Sequence, residues 1–307
     1  MFNQYFGYYL MHKDYINISQ LRTVLDYQKI THVKLGLIAV NESMMTPEQV
    51  EEVHSLQTRV DKKFGELAVE LGYLTEDRLK HLLTVQQENH LLLGQALMDL
   101  DLMNLYQITT ALYQFKRDQG LSDDQFRAIK NGDIRTLVEM IVIKIDVPER
   151  AIFADYLTLL ANNLIRFIDD LAVIEIEEIV EKQSCDWLVM QQIRGEDMEL
   201  STMIAANSTV FVDIAETFAQ MPIGSADELA CSAVGEFLNL HNGIFLINMS
   251  NRGMELDLAP QSVHANASYT EENAGIAVTV RYSRGTFRFL LSVRALGVQS
   301  EEQLIMV

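Results

Sequence analysis

The chain has 307 residues, 49% of them hydrophobic and 22% charged, with a formal net charge of −19. That much apolar material supports a packed core and the length suits two domains, which excludes a disordered chain. Residues 1–150 hold 16 Lys+Arg against 21 Asp+Glu, residues 151–307 only 8 against 22, and no Lys or Arg falls between Arg194 and Arg252. A surface built there repels a phosphate backbone, so nucleic acid is excluded as a partner and a protein presenting a cation fits better.

No charged start followed by a short apolar run appears between Met1 and Gln20, and no apolar segment approaches the ~18 residues of a membrane span. The expectation is a cytoplasmic protein without membrane insertion. Cys185 and Cys231 lie far apart with no second pair to complete a thiolate site. Both are expected to be reduced and structural, and no metal centre is expected.

The first 118 residues repeat. Gly7, Gly36, Gly65 and Gly94 recur at a period of 29, and 21 positions after each stand Gln28, Gln57, Gln86 and Phe115. Asn17, Thr46, Thr75 and Asn104 are N-cap residues at the same period. Apolar residues flank each cap at the spacing of a hydrophobic staple: Ile16/Leu21, Met45/Val50, Leu74/Leu79 and Met103/Ile108. The pattern predicts two short helices per unit and an all-α repeat domain over 1–118. Each period places glycine inside a helix, which costs ~1 kcal/mol against alanine. Close packing or the backbone approach of a ligand would offset it.

This pattern resembles the cyclic-di-GMP-binding N-terminal domains of type II secretion and type IV pilus ATPases, in which Arg-Leu-Gly opens a unit and Gln closes it. The resemblance places candidate ligand-binding residues at Lys34, Gly36, Lys63, Gly65 and Gly72. The family's arginine column reads Tyr5, Lys34, Lys63 and Leu92 here, and its second glycine survives only as Gly72, with Asp14, Ser43 and Asp101 in the other units. Lysine does not reproduce a planar, bidentate guanidinium, so cyclic-di-GMP is an alternative ligand and not the favoured one.

Residues 119–149 are expected to connect the halves, with Ser122 capping a further helix and Pro148 marking the next boundary. From Ala151 to Asp170 apolar residues recur at helical spacing. Strand-like segments follow at 173–176, 186–190 and 198–203, then helices at 208–220 and from Ser225 to about Asn251, the second opened by Ser225 and Glu228 as a capping box and stopped by Gly253. Strands are expected again at 254–258, 275–282 and 286–293, the last two joined by a tight turn at 283–285. The order predicts an α/β (α+β) domain over 150–307, with long helices packed on a mainly antiparallel sheet.

The helix from Ser225 carries one polar strip. At ~100° per residue, Glu228, Ser232, Glu236, Asn239 and Gly243 fall within roughly 80°, while Leu229, Ala230, Ala233, Val234, Phe237, Leu238 and Leu240 cover the rest. Asn239 is the member that helix chemistry least explains, because an interior asparagine competes for backbone groups. His241 points to the apolar side and is expected in the core.

Ser232-x3-Glu236-x2-Asn239, with Pro260 some twenty residues later, resembles the signature of the CheC/CheX/FliY chemotaxis phosphatases. The stretch from Glu236 to Pro260 is similar to the CheX branch in particular. The resemblance implies hydrolysis of the aspartyl phosphate on a CheY-like response regulator, with Glu236 and Asn239 catalytic and Ser232, Pro260 and Gly243 supporting. Asn239 would position the water and Glu236 would pair with the regulator's lysine, while the regulator brings its own Mg²⁺ and the protein needs no cofactor. A homodimer through sheet extension is a further arrangement known in that family. In that reading the repeats serve as a sensory or docking module; the alternatives are a non-catalytic signalling adaptor and a cyclic-di-GMP-responsive binding protein.

Overall fold

The computed structural model describes residues 2–28, 34–57, 62–84, 89–143, 149–176, 182–196, 198–270, 275–293, 298–300 and 302–305. Gln86 and Pro148, both used above, lie outside them. The chain divides into two compact units, Met1–Asp133 and Ile134–Val307.

Every element described in the first unit is a helix: α1 (Phe2–His12), α2 (Ile18–Gln28), α3 (Leu35–Asn41), α4 (Pro47–Gln57), α5 (Phe64–Glu70), α6 (Glu76–Thr84), α7 (Asn89–Asp99), α8 (Leu105–Asp118) and α9 (Asp123–Lys130). The expected caps form. Asn17, Thr46 and Asn104 accept from the amides of Gln20, Gln49 and Gln107, whose side chains accept from the cap amides in return, and Thr75 accepts from Arg78.

The helical glycines are used for packing. A Cβ on Gly7 would sit 2.3 Å from Leu21 Cδ1, on Gly36 2.7 Å from Val50 Cγ1, and on Gly65 2.7 Å from Leu79 Cδ1. In each case the residue fourteen places on fills the space. Asp14, Ser43, Gly72 and Asp101 share a left-handed backbone, with φ of 59°, 54°, 75° and 53°. This column ends a helix before the next cap, and only Gly72 meets the requirement without a Cβ penalty. Phe115, which replaces glutamine at its period, packs edge-on against Phe6 and Tyr9, with centroids 5.7 and 5.2 Å away. Position 115 therefore serves the core, whereas Gln57 donates to the Lys62 carbonyl on the surface.

The stretch expected to connect the halves is divided between the units. Ser122 caps α9 as expected, and Lys130 at its end bonds Asn41 of α3. A further helix, α10 (Ile134–Val142), belongs to the second unit and packs on α11 (Arg150–Phe167). Asp155 of α11 accepts from Arg135 of α10 at 2.8 Å and also bonds Arg252. The boundary thus falls before α10, not at Pro148.

The rest of the second unit is mixed α/β: β1 (Val173–Ile176), β2 (Gln183–Gly195), β3 (Glu199–Ala206), α12 (Ser208–Ala219), α13 (Glu228–Ser250), β4 (Leu256–Leu258), β5 (Ser262–Tyr269), β6 (Ile276–Tyr282), β7 (Gly285–Ser292), β8 (Val298–Gln299) and β9 (Glu302–Ile305). The sheet runs β1-β6-β7-β3-β2-β5-β8, with β4 beside β2 and β9 beside β5. Every described pairing is antiparallel. Helix α13 packs on α12, α11 and β2, burying Ala230, Val234, Phe237, Leu238 and Phe245.

Three sequence readings change. The 186–190 segment is part of a 13-residue strand, and β5 is an eight-residue strand that the sequence pattern did not mark, because Ser, Ala and Asn dilute its alternation. The helix cap also moves. Asp227 accepts from the amides of Leu229 and Ala230, while Ser225 only braces Asp227. Glu228 is therefore the first helical residue and not the partner of a capping box.

Candidate functional site

The polar strip of α13 is an open face. Ser232 and Glu236 are exposed, Asn239 and Gly243 are half-buried, and Pro260 is exposed in the connection from β4 to β5. Glu236 and Asn239 meet, Asn239 Nδ2 lying 3.4 Å from Glu236 Oε2. Ser232 stands one turn earlier and bonds neither. Leu229 does not join the buried side: it is 46% exposed, and Ile247 is 63% exposed, so apolar side chains extend the strip at both ends. A Cβ on Gly243 would meet nothing within 4 Å, which leaves the backbone bare beside Asn239.

What holds Asn239 comes from below. Gln191 on β2 donates through Nε2 to Asn239 Oδ1 at 2.9 Å and to the Ala259 carbonyl at 3.0 Å. Its Oε1 accepts from Asn242 Nδ2 at 2.8 Å, and the other Asn242 proton goes to Thr202 Oγ1 at 3.0 Å. Thr202 is the register partner of Gln191 on β3 and donates to the Gln191 carbonyl at 3.0 Å. Tyr156 of α11 donates to Asn242 Oδ1. Burial pushes the Tyr156 phenol well above its ordinary pKa, so it stays protonated as a donor. Gln191 is 2% exposed, and Asn242, Thr202 and Tyr156 are fully buried.

These residues were not singled out in the sequence. Asn242 carried the same signal as Asn239, an amide inside a helix, and it lies three positions on. Gln191 sits in an apolar strand run and gave no signal of its own. Gly235 was also missed. A Cβ there would come 3.0 Å from Gln261 Nε2, so the bare backbone lets the segment after Pro260 approach α13. Pro260 thus lies between Ala259, whose carbonyl is held by Gln191, and Gln261, which packs close to Gly235.

His241 is fully buried as expected, with Nδ1 3.0 Å from Asn163 Nδ2 and its ring edge-on to Tyr156. Burial pulls its pKa down to about 3. Burial also pushes the Cys185 thiol up to about 12, which removes it as a nucleophile at neutral pH.

The candidate ligand residues of the first unit are engaged in packing, turns and pairing. Gly36 and Gly65 are filled by side chains, and Gly72 forms an exposed turn. Lys63 is exposed and gives its amide to Glu66. Lys34 lines a cavity of about 420 Å³ together with Glu51, His54, Asp99 and Asp101. Its ammonium is paired with Asp99 at 3.1 Å. Among the described residues no three His, Cys, Asp or Glu side chains converge as a metal set, and no helix is long and apolar enough to cross a membrane.

No protein-family model matches the chain, and no curated protein matches it. Solved structures similar to about half of it include chemotaxis proteins. A CheC-like superfamily protein from Shewanella sp. PV-4 is 18% identical over 47% of this chain and 97% of its own, with a TM-score of 0.39. CheX from Vibrio vulnificus is 14% identical over 48% and 99%, with a TM-score of 0.37. A CheX–CheY complex with BeF₃ and Mg²⁺ from Borrelia burgdorferi matches at 13% identity over 47% and 97%, with a TM-score of 0.35. The resemblance of residues 1–118 rests on sequence pattern alone.

Proposed function

We propose that the second unit hydrolyses the aspartyl phosphate of a CheY-like response regulator, using the exposed face of α13. The observation that carries this reading is the Glu236/Asn239 pair, with its amide anchored from beneath on a strip free of Lys and Arg. A phosphorylated regulator already holds Mg²⁺ and a lysine at its phosphoryl group, so the missing contribution is a positioned water. With one Oδ1 lone pair taken by Gln191, Asn239 keeps an outer lone pair for the water and an Nδ2 proton for the phosphoryl oxygens. A carboxylate at that position would face the phosphate with like charge. Glu236 supplies the negative charge that pairs with the regulator's lysine. The open face suits a protein substrate, and Gly243 leaves room for its approach.

Residues 1–118 we read as four helical units of 29 residues that serve as a sensory or docking module. The recurrence of capped helices, filled glycines and left-handed turns supports the units. The paired Lys34 and the acidic cavity rim favour a protein partner over an anionic nucleotide.

The test is to follow loss of phosphate from candidate regulators with the wild-type protein and with Asn239→Ala. The wild type should accelerate loss for the cognate regulator, and Asn239→Ala should lose roughly a hundredfold or more of that acceleration. Full activity in Asn239→Ala would refute the mechanism. Binding without acceleration for any regulator would leave the adaptor reading.

A further inference from the structure

We infer that Gln191 and Asn242 are positioning residues that fix the Asn239 carboxamide in one orientation, Oδ1 inward and Nδ2 outward. The effect on turnover rests on the phosphatase reading above; the orientation itself does not.

The polarity follows from two backbone carbonyls, which can only accept. The Gln191 carbonyl takes the Thr202 hydroxyl proton, so Thr202 Oγ1 faces Asn242 as an acceptor and fixes the Asn242 amino group towards it. Asn242 Oδ1 then receives the Tyr156 hydroxyl, and the second Asn242 proton fixes Gln191 Oε1. Gln191 Nε2 is left facing the Ala259 carbonyl and Asn239 Oδ1. Both ends of the relay demand the same assignment, and reversing any one amide sets like groups against each other in a buried site. A half-buried asparagine without such backing exchanges its oxygen and nitrogen by rotating its amide. Here that exchange would set two amino groups face to face. The relay therefore presents to solvent the donor and the outer lone pair that the proposed chemistry uses, and the same Gln191 fork fixes the carbonyl before Pro260.

The test uses the full chain with Gln191→Met, which keeps length and removes the donor. Steady-state turnover of the phosphorylated regulator is measured for wild type, Gln191→Met, Asn239→Ala and the double variant, and the Asn239 side-chain amide is followed by 1H–15N NMR. We expect kcat to fall roughly tenfold to a hundredfold in Gln191→Met with KM within about twofold. The double variant should be no worse than Asn239→Ala, because Gln191 acts through Asn239. The Asn239 amide resonances should move to the positions of a freely solvated side chain. If Gln191→Met fails to fold, Thr202→Val releases the relay from its far end at constant volume and should move the same resonances. Additive losses in the double variant, or an Asn239 amide that does not move, would overturn the inference. If the wild-type protein accelerates no regulator, the phosphatase reading fails and the NMR result still decides the orientation.

Discussion

Replacing Asn242 by alanine removes the centre of the buried network, and its cost can be worked from the bonds it makes. Asn242 is fully buried and binds Tyr156, Gln191 and Thr202. Thr202 keeps its bond to the Gln191 carbonyl, so two groups lose their Asn242 partner: Gln191 Oε1, which is left unpaired, and the Tyr156 hydroxyl, which keeps only its contact with Thr202. Each buried, unsatisfied group costs about 1–3 kcal/mol, which gives roughly 2–6 kcal/mol for the variant. Tyr156→Phe orphans only Asn242 Oδ1 and should cost about half as much. Trp187 is the chain's single tryptophan and stacks on Phe211 of α12 with centroids 5.3 Å apart. Its fluorescence in urea therefore reports the second unit alone. At a slope of about 2 kcal/mol per molar urea, the Asn242→Ala midpoint should fall by roughly 1–3 M with the slope unchanged. A fall of less than about 0.5 M, or one smaller than that of Tyr156→Phe, would show that the orphaned groups find other partners and that the network is not a closed set.

Because burial holds His241 neutral with a pKa of about 3, the unfolded chain binds a proton there below about pH 6.5 that the folded chain does not. Stability should be lost as pH falls from about 6.5 towards 3, by up to about 1.4 kcal/mol per pH unit. His241→Phe should flatten that limb in Trp187 urea titrations at successive pH values, and an unchanged limb would refute the assignment. In the first unit, Gly7→Ala drives a Cβ to 2.3 Å from the fully buried Leu21 and should cost about 1–3 kcal/mol, whereas at Gly94 the nearest atom is 3.4 Å away and alanine should be neutral or gain up to ~1 kcal/mol. Thermal melts followed by circular dichroism should therefore move in different senses or by clearly different amounts.

Local chemistry was legible in the sequence wherever a residue type had a single use. Asn17, Thr46 and Asn104 could be read as caps because their bonds close within four residues, and the long apolar runs of α11 and α13 left little choice but helix. Ser225 misled because Asp227 competes for the same amides and sits nearer to them. Strand β5 was missed because its pairing with β2 and β9 is non-local, and pairing rather than side-chain alternation makes it a strand. Period alone could not separate packing from ligand approach at the helical glycines. The clash distances at Gly7, Gly36 and Gly65 decide for packing.

The strip on α13 was legible for a different reason than its backing. Polar residues on an apolar helix stand out in one dimension, but Gln191 is 48 positions from Asn239, and only the β2–β3 register sets it beside Thr202 under the helix. That register also explains why Asn239 and Pro260 belong together. One Gln191 side chain spends both its protons on them, one on Asn239 Oδ1 and one on the carbonyl that precedes Pro260. Gly235 completes the link by letting Gln261 lie against the helix backbone. Asn239 and Asn242 of α13 are each poorer helix formers than alanine, and their hydrogen bonds offset that cost only in this folded arrangement. A helix selected for stability alone would place leucine at 242. Asparagine there leaves the core with a polar network that reaches the surface through the amide of Asn239.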